Sequence, residues 1–222
     1  MKRKNTPRCA VALTALLACV WVTGCNRAAA RIPGASRSFP STSTNYAAKQ
    51  THPYTVVVAM PVDRRADHYD EPVAGTRWTG CRTDPFWNNE GAALIRDRLT
   101  SDLTVSDLFA HVSQGPPTPD AVVLKTEIDA FCSQAIGFLY LRVAGISSLK
   151  ITAERDGTPL WEHKFERVVT DADPEYTGSQ ISFIEQAMAV TMADSLRELL
   201  RDLLMQLDQA AGSWQVSSSK SS

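Results

Sequence analysis

The sequence predicts an α+β fold: a mostly antiparallel sheet of four to five strands with two helices packed on it, in the order β-α-β-β-β-β-α. Three observations predict it. A β-branched run from Tyr54 to Val62, bounded by Pro53 and Pro61, suits a buried first strand. Two alternating segments flank Arg155-Asp156-Gly157, which is a hairpin signal. Finally, Ile184, Met188, Leu196, Leu199, Leu200, Leu203 and Leu207 recur at helical spacing and make one apolar stripe.

Taken in order, the first strand is followed by Asp63 to Asn89, 27 residues with neither helical nor strand period. That is long for a structureless connection in a small domain, so the segment is expected to be functional or locally ordered. Ile95, Leu99 and Leu103 at spacing four predict a helix from about Glu90 to Leu103, capped by Asn88 or Asn89. Asp107 to Ser113 suits a short strand, and Gly115-Pro116-Pro117 breaks the chain. From Ala121 to Phe131 the residues alternate, with Val122, Leu124, Thr126, Ile128 and Ala130 on one face and Lys125, Glu127 and Asp129 on the other.

The hairpin joins Leu139 to Glu154 with Pro159 to Val169. A two-residue Asp156-Gly157 loop would set Ile151 against Glu162 and mix apolar with charged groups. A three-residue loop instead opposes Ile151 to Trp161, Leu149 to His163 and Lys150 to Glu162, and this register is expected. His163 then sits in the core beside Trp161 and Phe165. Ser182 with Glu185 resembles a capping box, which starts the last helix at about Ser182 and carries it to Leu207. Asp194 with Arg197, and Glu198 with Arg201, are spaced to pair on its other side.

The chain starts differently. Lys2, Arg3, Lys4 and Arg8 precede an apolar run from Cys9 to Thr23, too short to span ~30 Å of hydrocarbon as a helix, and the segment closes with Val22-Thr23-Gly24-Cys25. This ending resembles the bacterial lipobox, which implies cleavage before Cys25 and lipidation of that cysteine. Asn26 follows, where an aspartate would resemble the inner-membrane retention signal of Gram-negative lipoproteins. The expected location is therefore the inner leaflet of the outer membrane, facing the periplasm. The organisation read from this is a signal peptide over 1–24, the lipidated cysteine and a flexible tether over 25–51, one domain over 52–209 and a disordered Ser-rich tail over 210–222.

Removing the four basic residues of the signal leaves 19 Lys and Arg against 24 Asp and Glu, a balance that argues against nucleic acid and against a polybasic membrane patch. Two cysteines remain once Cys9, Cys19 and Cys25 are set aside, and in an oxidising compartment Cys81 and Cys132 are expected to pair; two separate buried thiols are the alternative. The familiar catalytic spacings for hydrolases, zinc proteases and phosphate loops do not occur. No catalytic residue, metal or cofactor is therefore expected. Asp67-His68-Tyr69-Asp70-Glu71 reads as a solvated loop, since neighbours in an extended chain point in alternate directions; oxygen and imidazole ligands for a metal are the alternative reading of this run. In the long loop, Arg77, Trp78, Arg82, Phe86 and Trp87 are the types enriched at interface hot spots and form the candidate partner surface. The other account of these aromatics is that they fold back to seal the sheet.

Several short features carry a resemblance: the Val-rich strand followed by Asp63-Arg64-Arg65, then Gly75-Thr76-Arg77-Trp78, Leu108-Phe109, Asp120-Ala121-Val122-Val123-Leu124, Leu160-Trp161 after the Asp-Gly turn, and the closing helix. In these the body resembles a family of poorly characterised bacterial lipoproteins. More remotely it is similar to envelope modules such as the amino-terminal domain of TolB, CsgG and auxiliary lipoproteins of ABC transport systems. The resemblance implies a non-enzymatic accessory or assembly module, anchored to the membrane at Cys25, with an envelope protein as partner. A ring-forming subunit of an export apparatus and a periplasmic hydrolase are the alternatives.

Overall fold

The computed structural model describes residues 43–81, 91–136, 142–171 and 181–214, with side chains of the last segment from 184 onward. The strands are β1 (His52–Val58), β2 (Val62–Asp63), β3 (Phe109–Ser113), β4 (Val122–Ile136), β5 (Arg142–Arg155) and β6 (Thr158–Asp171). The helices are α1 (Arg65–His68), α2 (Gly91–Val105) and α3 (Ile181–Ala211). The sheet runs β3-β1-β4-β5-β6, with β2 pairing β4 off this path. The long ladders β4-β5 and β5-β6 are antiparallel, as the hairpin signal requires. The short ones at β1, β2 and β3 are parallel, because α2 carries the chain back between β1 and β3.

One face of the sheet, here the inner face, is closed by α2 and α3. Ile95, Leu99 and Leu103 of α2 and Leu196, Leu199, Leu200, Leu203 and Leu207 of α3 are buried against Val56, Leu124, Ile128 and Phe131. Each such side chain is worth roughly 1.5–3 kcal/mol of transfer free energy. Close approach is set by Gly145 on β5, where a Cβ would lie 2.1 Å from the Thr191 carbonyl oxygen of α3. Beside it the buried hydroxyls of Ser147 and Ser195 meet at 2.5 Å and satisfy each other.

Two bulges decide which residues face which way. On β4, Ile128 opposes Leu149 but Ala130 opposes Ser148, so Asp129 is an extra residue. The expected alternation holds through Ile128 and then inverts: Phe131 joins the inner core, while Ala130 and Cys132 turn to the outer face. On β6, the turn is the two-residue Asp156-Gly157 loop with both residues at positive φ (49° and 77°), the backbone that Asp-Gly favours in a hairpin. A bulge at Leu160 then restores the facing of apolar residues, so Ile151 opposes His163, Leu149 opposes Phe165 and Lys150 opposes Lys164. The expected three-residue loop is therefore corrected. Apolar residues do share a face, but the register lies two residues further along β6.

Both ends of the domain extend beyond the expected limits. Ala48 N–H donates to the Ser106 carbonyl and His52 N–H to that of Leu108, while Tyr46 and Ala48 pack on the core, so residues 43–51 form an ordered strap. At the other end α3 runs to Ala211, and Trp214 is buried, stacked on Phe109 at 6.1 Å and tilted against Tyr54 at 5.5 Å. Ser182 lies inside the first turn of α3, not ahead of it as a capping box requires.

Candidate functional site

The outer face over β4 and β5 is closed by the chain between β2 and Cys81. Val73 N–H donates to the Trp78 carbonyl around Ala74 and Gly75, both at positive φ, and this tight reversal lays Trp78 onto Ala130, Ala144 and Ile146. Trp78 is only 5% exposed. It is therefore a packing residue and not part of an exposed partner surface: of the two roles its sequence context allows, the reversal at Ala74-Gly75 selects the one that seals the sheet. Arg77 is exposed, with its guanidinium 5.7 Å from the Trp78 ring centre. Arg82, Phe86, Trp87 and Cys25 lie outside the described residues. Cys81 is bonded to Cys132, which the Asp129 bulge has turned toward it.

Polar contacts brace the same segment. Arg65, buried, donates to the Asp63 carboxylate through Nε at 2.9 Å and Nη2 at 2.7 Å, and to the Phe131 carbonyl at 3.3 Å. The Arg65 hydrogen bond holds the Asp63 carboxyl below its ordinary range, against the opposing effect of burial. His68 stands between Glu71 at 3.0 Å and Asp129 at 3.7 Å. Lys164 Nζ lies 3.1 Å from both Asp129 and Glu166, and Glu166 also accepts the Ala74 N–H. The Asp67–Glu71 run is thus drawn partly into a brace through His68. Among the described residues no group of three His, Cys, Asp or Glu side chains is placed to hold a metal ion.

A row of ring side chains lies on β6, the edge strand of the sheet among the described residues. Trp161, His163 and Phe165 stack along the inner side of this strand, with ring centres 6.0 Å apart for Trp161 and His163 and 4.7 Å for His163 and Phe165. Phe165 is buried, Trp161 half-buried and His163 exposed. The expected core histidine is corrected here: His163 is exposed, Trp161 packs on the core only in part, and of the three rings Phe165 alone is buried.

A third feature has no counterpart among the residues singled out from sequence. The strap and α3 border two adjoining grooves of about 690 and 450 Å³ that share Asn45, Arg201 and Met205. Tyr46 OH donates to Asp208 at 2.6 Å and His52 Nε2 lies 2.8 Å from the same carboxylate, fixing the strap. Burial, the hydrogen bond and the charge of Asp208 push the Tyr46 phenol up to about 12. Asp194 pairs with Arg197 at 2.8 Å as expected, whereas Glu198 and Asp202 both turn to Arg167 of β6. Among the described residues Arg201 and Lys49 therefore have no carboxylate partner. The uncompensated Arg201 follows from the β6 register, which brings Arg167 alongside α3 and which helical spacing alone does not reveal.

No protein-family model matches this chain, and no curated protein matches its sequence. A solved structure of the Xanthomonas campestris protein XCC0632, of the DUF330 family, superposes with a TM-score of 0.51 at 14% identity, covering 77% of this chain and 94% of that one. The two share a fold. Weaker likenesses are to the hypothetical protein CT253 of Chlamydia trachomatis (TM-score 0.41, 11% identity, 71% of this chain and 98% of that one) and to a minor lipoprotein of Acinetobacter baumannii (TM-score 0.39, 10% identity, 69% and 94%).

Proposed function

We propose that this chain is a lipoprotein of the bacterial cell envelope, anchored through Cys25 in the inner leaflet of the outer membrane. There it acts without catalysis, as an accessory or assembly module that binds another envelope protein. The anchor rests on the charged, apolar and Val22-Thr23-Gly24-Cys25 segments in succession. The binding role is carried by one observation, the aromatic ladder on the edge strand. Trp161 and His163 present large, rigid ring surface beside a strand edge that is unpaired among the described residues, which suits addition of a partner segment with aromatic anchoring. Arg77 and the residues that follow Cys81, including Arg82, Phe86 and Trp87, are the second part of the proposed surface.

The test has two arms. Mass spectrometry of the protein from membranes should find Cys25 acylated, and Cys25→Ala should move the chain to the soluble fraction; an unmodified Cys25 overturns the anchor. Crosslinking in intact envelopes should recover a partner that is lost in Trp161→Ala and His163→Ala, each folded by circular dichroism. Recovery of the same proteins from both variants overturns the ladder as the binding surface.

A further inference from the structure

We propose that the corner formed by the strap and the carboxy-terminal half of α3 docks on anionic lipid headgroups of the membrane that holds the anchor. This rests on the lipid anchor proposed above. The side chains of Arg201 and Lys49 line the adjoining grooves without carboxylate partners among the described residues: Glu198 and Asp202 are held by Arg167, Asp194 by Arg197, and Asp208, which lines the smaller groove with them, by Tyr46 and His52. Between them Met205 is 42% exposed, an apolar side chain flanked by two free cations. That combination suits the headgroup boundary of a bilayer, where phosphates meet the cations and the thioether enters the acyl margin.

Two further observations select a membrane as the occupant. Ser43, which lines the larger groove, is separated from Cys25 by 17 residues, so even a fully extended connection holds this corner within ~60 Å of the lipid. Charge is also distributed unevenly. Residues 25–62 contain four basic and no acidic residues, whereas 63–222 contain 15 basic and 24 acidic ones. An anionic surface therefore repels most of the domain and attracts the connecting segment, which carries Arg27, Arg31 and Arg37 and leads into the fold at this corner, where Lys49 and Arg201 add to it. This orients β6 and its aromatic ladder relative to the bilayer. The balance over the whole mature chain hides this asymmetry.

The experiment uses the complete mature chain with Cys25→Ser, unlipidated, in co-sedimentation with vesicles of phosphatidylcholine alone and of phosphatidylcholine mixed with phosphatidylglycerol. Binding is expected to the mixed vesicles only and should fall with added salt. Arg201→Gln and Lys49→Gln, both at exposed positions, should each weaken it about 5-fold at unchanged melting temperature. A variant with Arg27, Arg31 and Arg37 changed to Ser should bind less but keep its dependence on Arg201. Equal binding by wild type and Arg201→Gln overturns the proposal, and so does loss of all binding in the Arg27, Arg31, Arg37 variant. Displacement from vesicles by inorganic phosphate beyond the effect of matched sodium chloride also overturns it, since the ligand is then the free anion. Because the chain carries no lipid, failure of the anchor at Cys25 does not register in this assay.

Discussion

Among the described residues, helices cover the inner face of the sheet with leucines, while a single irregular segment covers the outer face with one tryptophan, one disulfide and a set of ion pairs. The inner face needs no specific partner for any one residue, because burial scales with area and many leucines share it. The outer cover has few apolar residues among those described, Val73 and Trp78 with Ala130, Ala144 and Ile146 beneath them, and so depends on particular bonds. A face closed by area should tolerate the loss of one contact, and a face closed by a few fixed points should open when one is removed.

The largest contrast should come from the tryptophans. Trp78→Ala removes the main side chain of the outer cover and should cost about 3–5 kcal/mol in urea unfolding, whereas half-buried Trp161 should cost about 1–2 kcal/mol. Equal losses would mean that the ladder on β6 is as structural as the cap.

The disulfide comes next. Cys81 and Cys132 are 51 residues apart, and replacing both with Ser should cost about 2–4 kcal/mol. The sharper readout is local. Proteolysis of this variant under native conditions should cut within residues 63–81, while amide exchange in α3 stays near its wild-type rate. Simultaneous loosening of α3 would show that the two faces are one cooperative unit.

The inner face was legible in the sequence because leucines three and four apart have one physical outcome, a buried helical stripe. The outer face was legible only in part. The Cys81–Cys132 pair followed from counting cysteines, but the bulge that turns Cys132 outward leaves no mark, since Ala130, Phe131 and Cys132, which follow Asp129, read as apolar whichever way they point. The hairpin register failed for a related reason. The pairing of apolar residues limits it only to shifts of two, and the bulge at Leu160 chose the other solution. Two residues mark the true ends of the domain: Tyr46 in the strap and Trp214 in the Ser-rich end are isolated aromatics in polar stretches, and both are tied down.

The smallest effects concern the polar clasps, and pH separates them. On the inner side, Asp208 holds the strap; burial works to raise its carboxyl, but hydrogen bonds from Tyr46, His52 and the Lys49 N–H outweigh this and lower it. On the outer side, Asp63 is lowered by Arg65, and Lys164 is raised by Asp129 and Glu166 against the opposing effect of burial. A carboxyl lowered by folding contributes stability above its unfolded value of ~3.9 that is lost as pH falls through the folded value. A phenol or amine raised by folding contributes stability that is whole below ~10 and lost as pH rises through the folded value, about 12 for Tyr46. Tyr46→Phe should therefore flatten part of the alkaline decline and leave that of Lys164, at a baseline cost of about 1 kcal/mol for the lost hydrogen bond. Asp63→Asn should flatten part of the acid decline and leave that of Asp208. Urea midpoints across the pH range read both effects. A Tyr46→Phe profile parallel to wild type above pH ~10 would show that the Tyr46 phenol contributes no proton-linked stability, and that the strap clasp responds to pH only through Asp208 at the acid end.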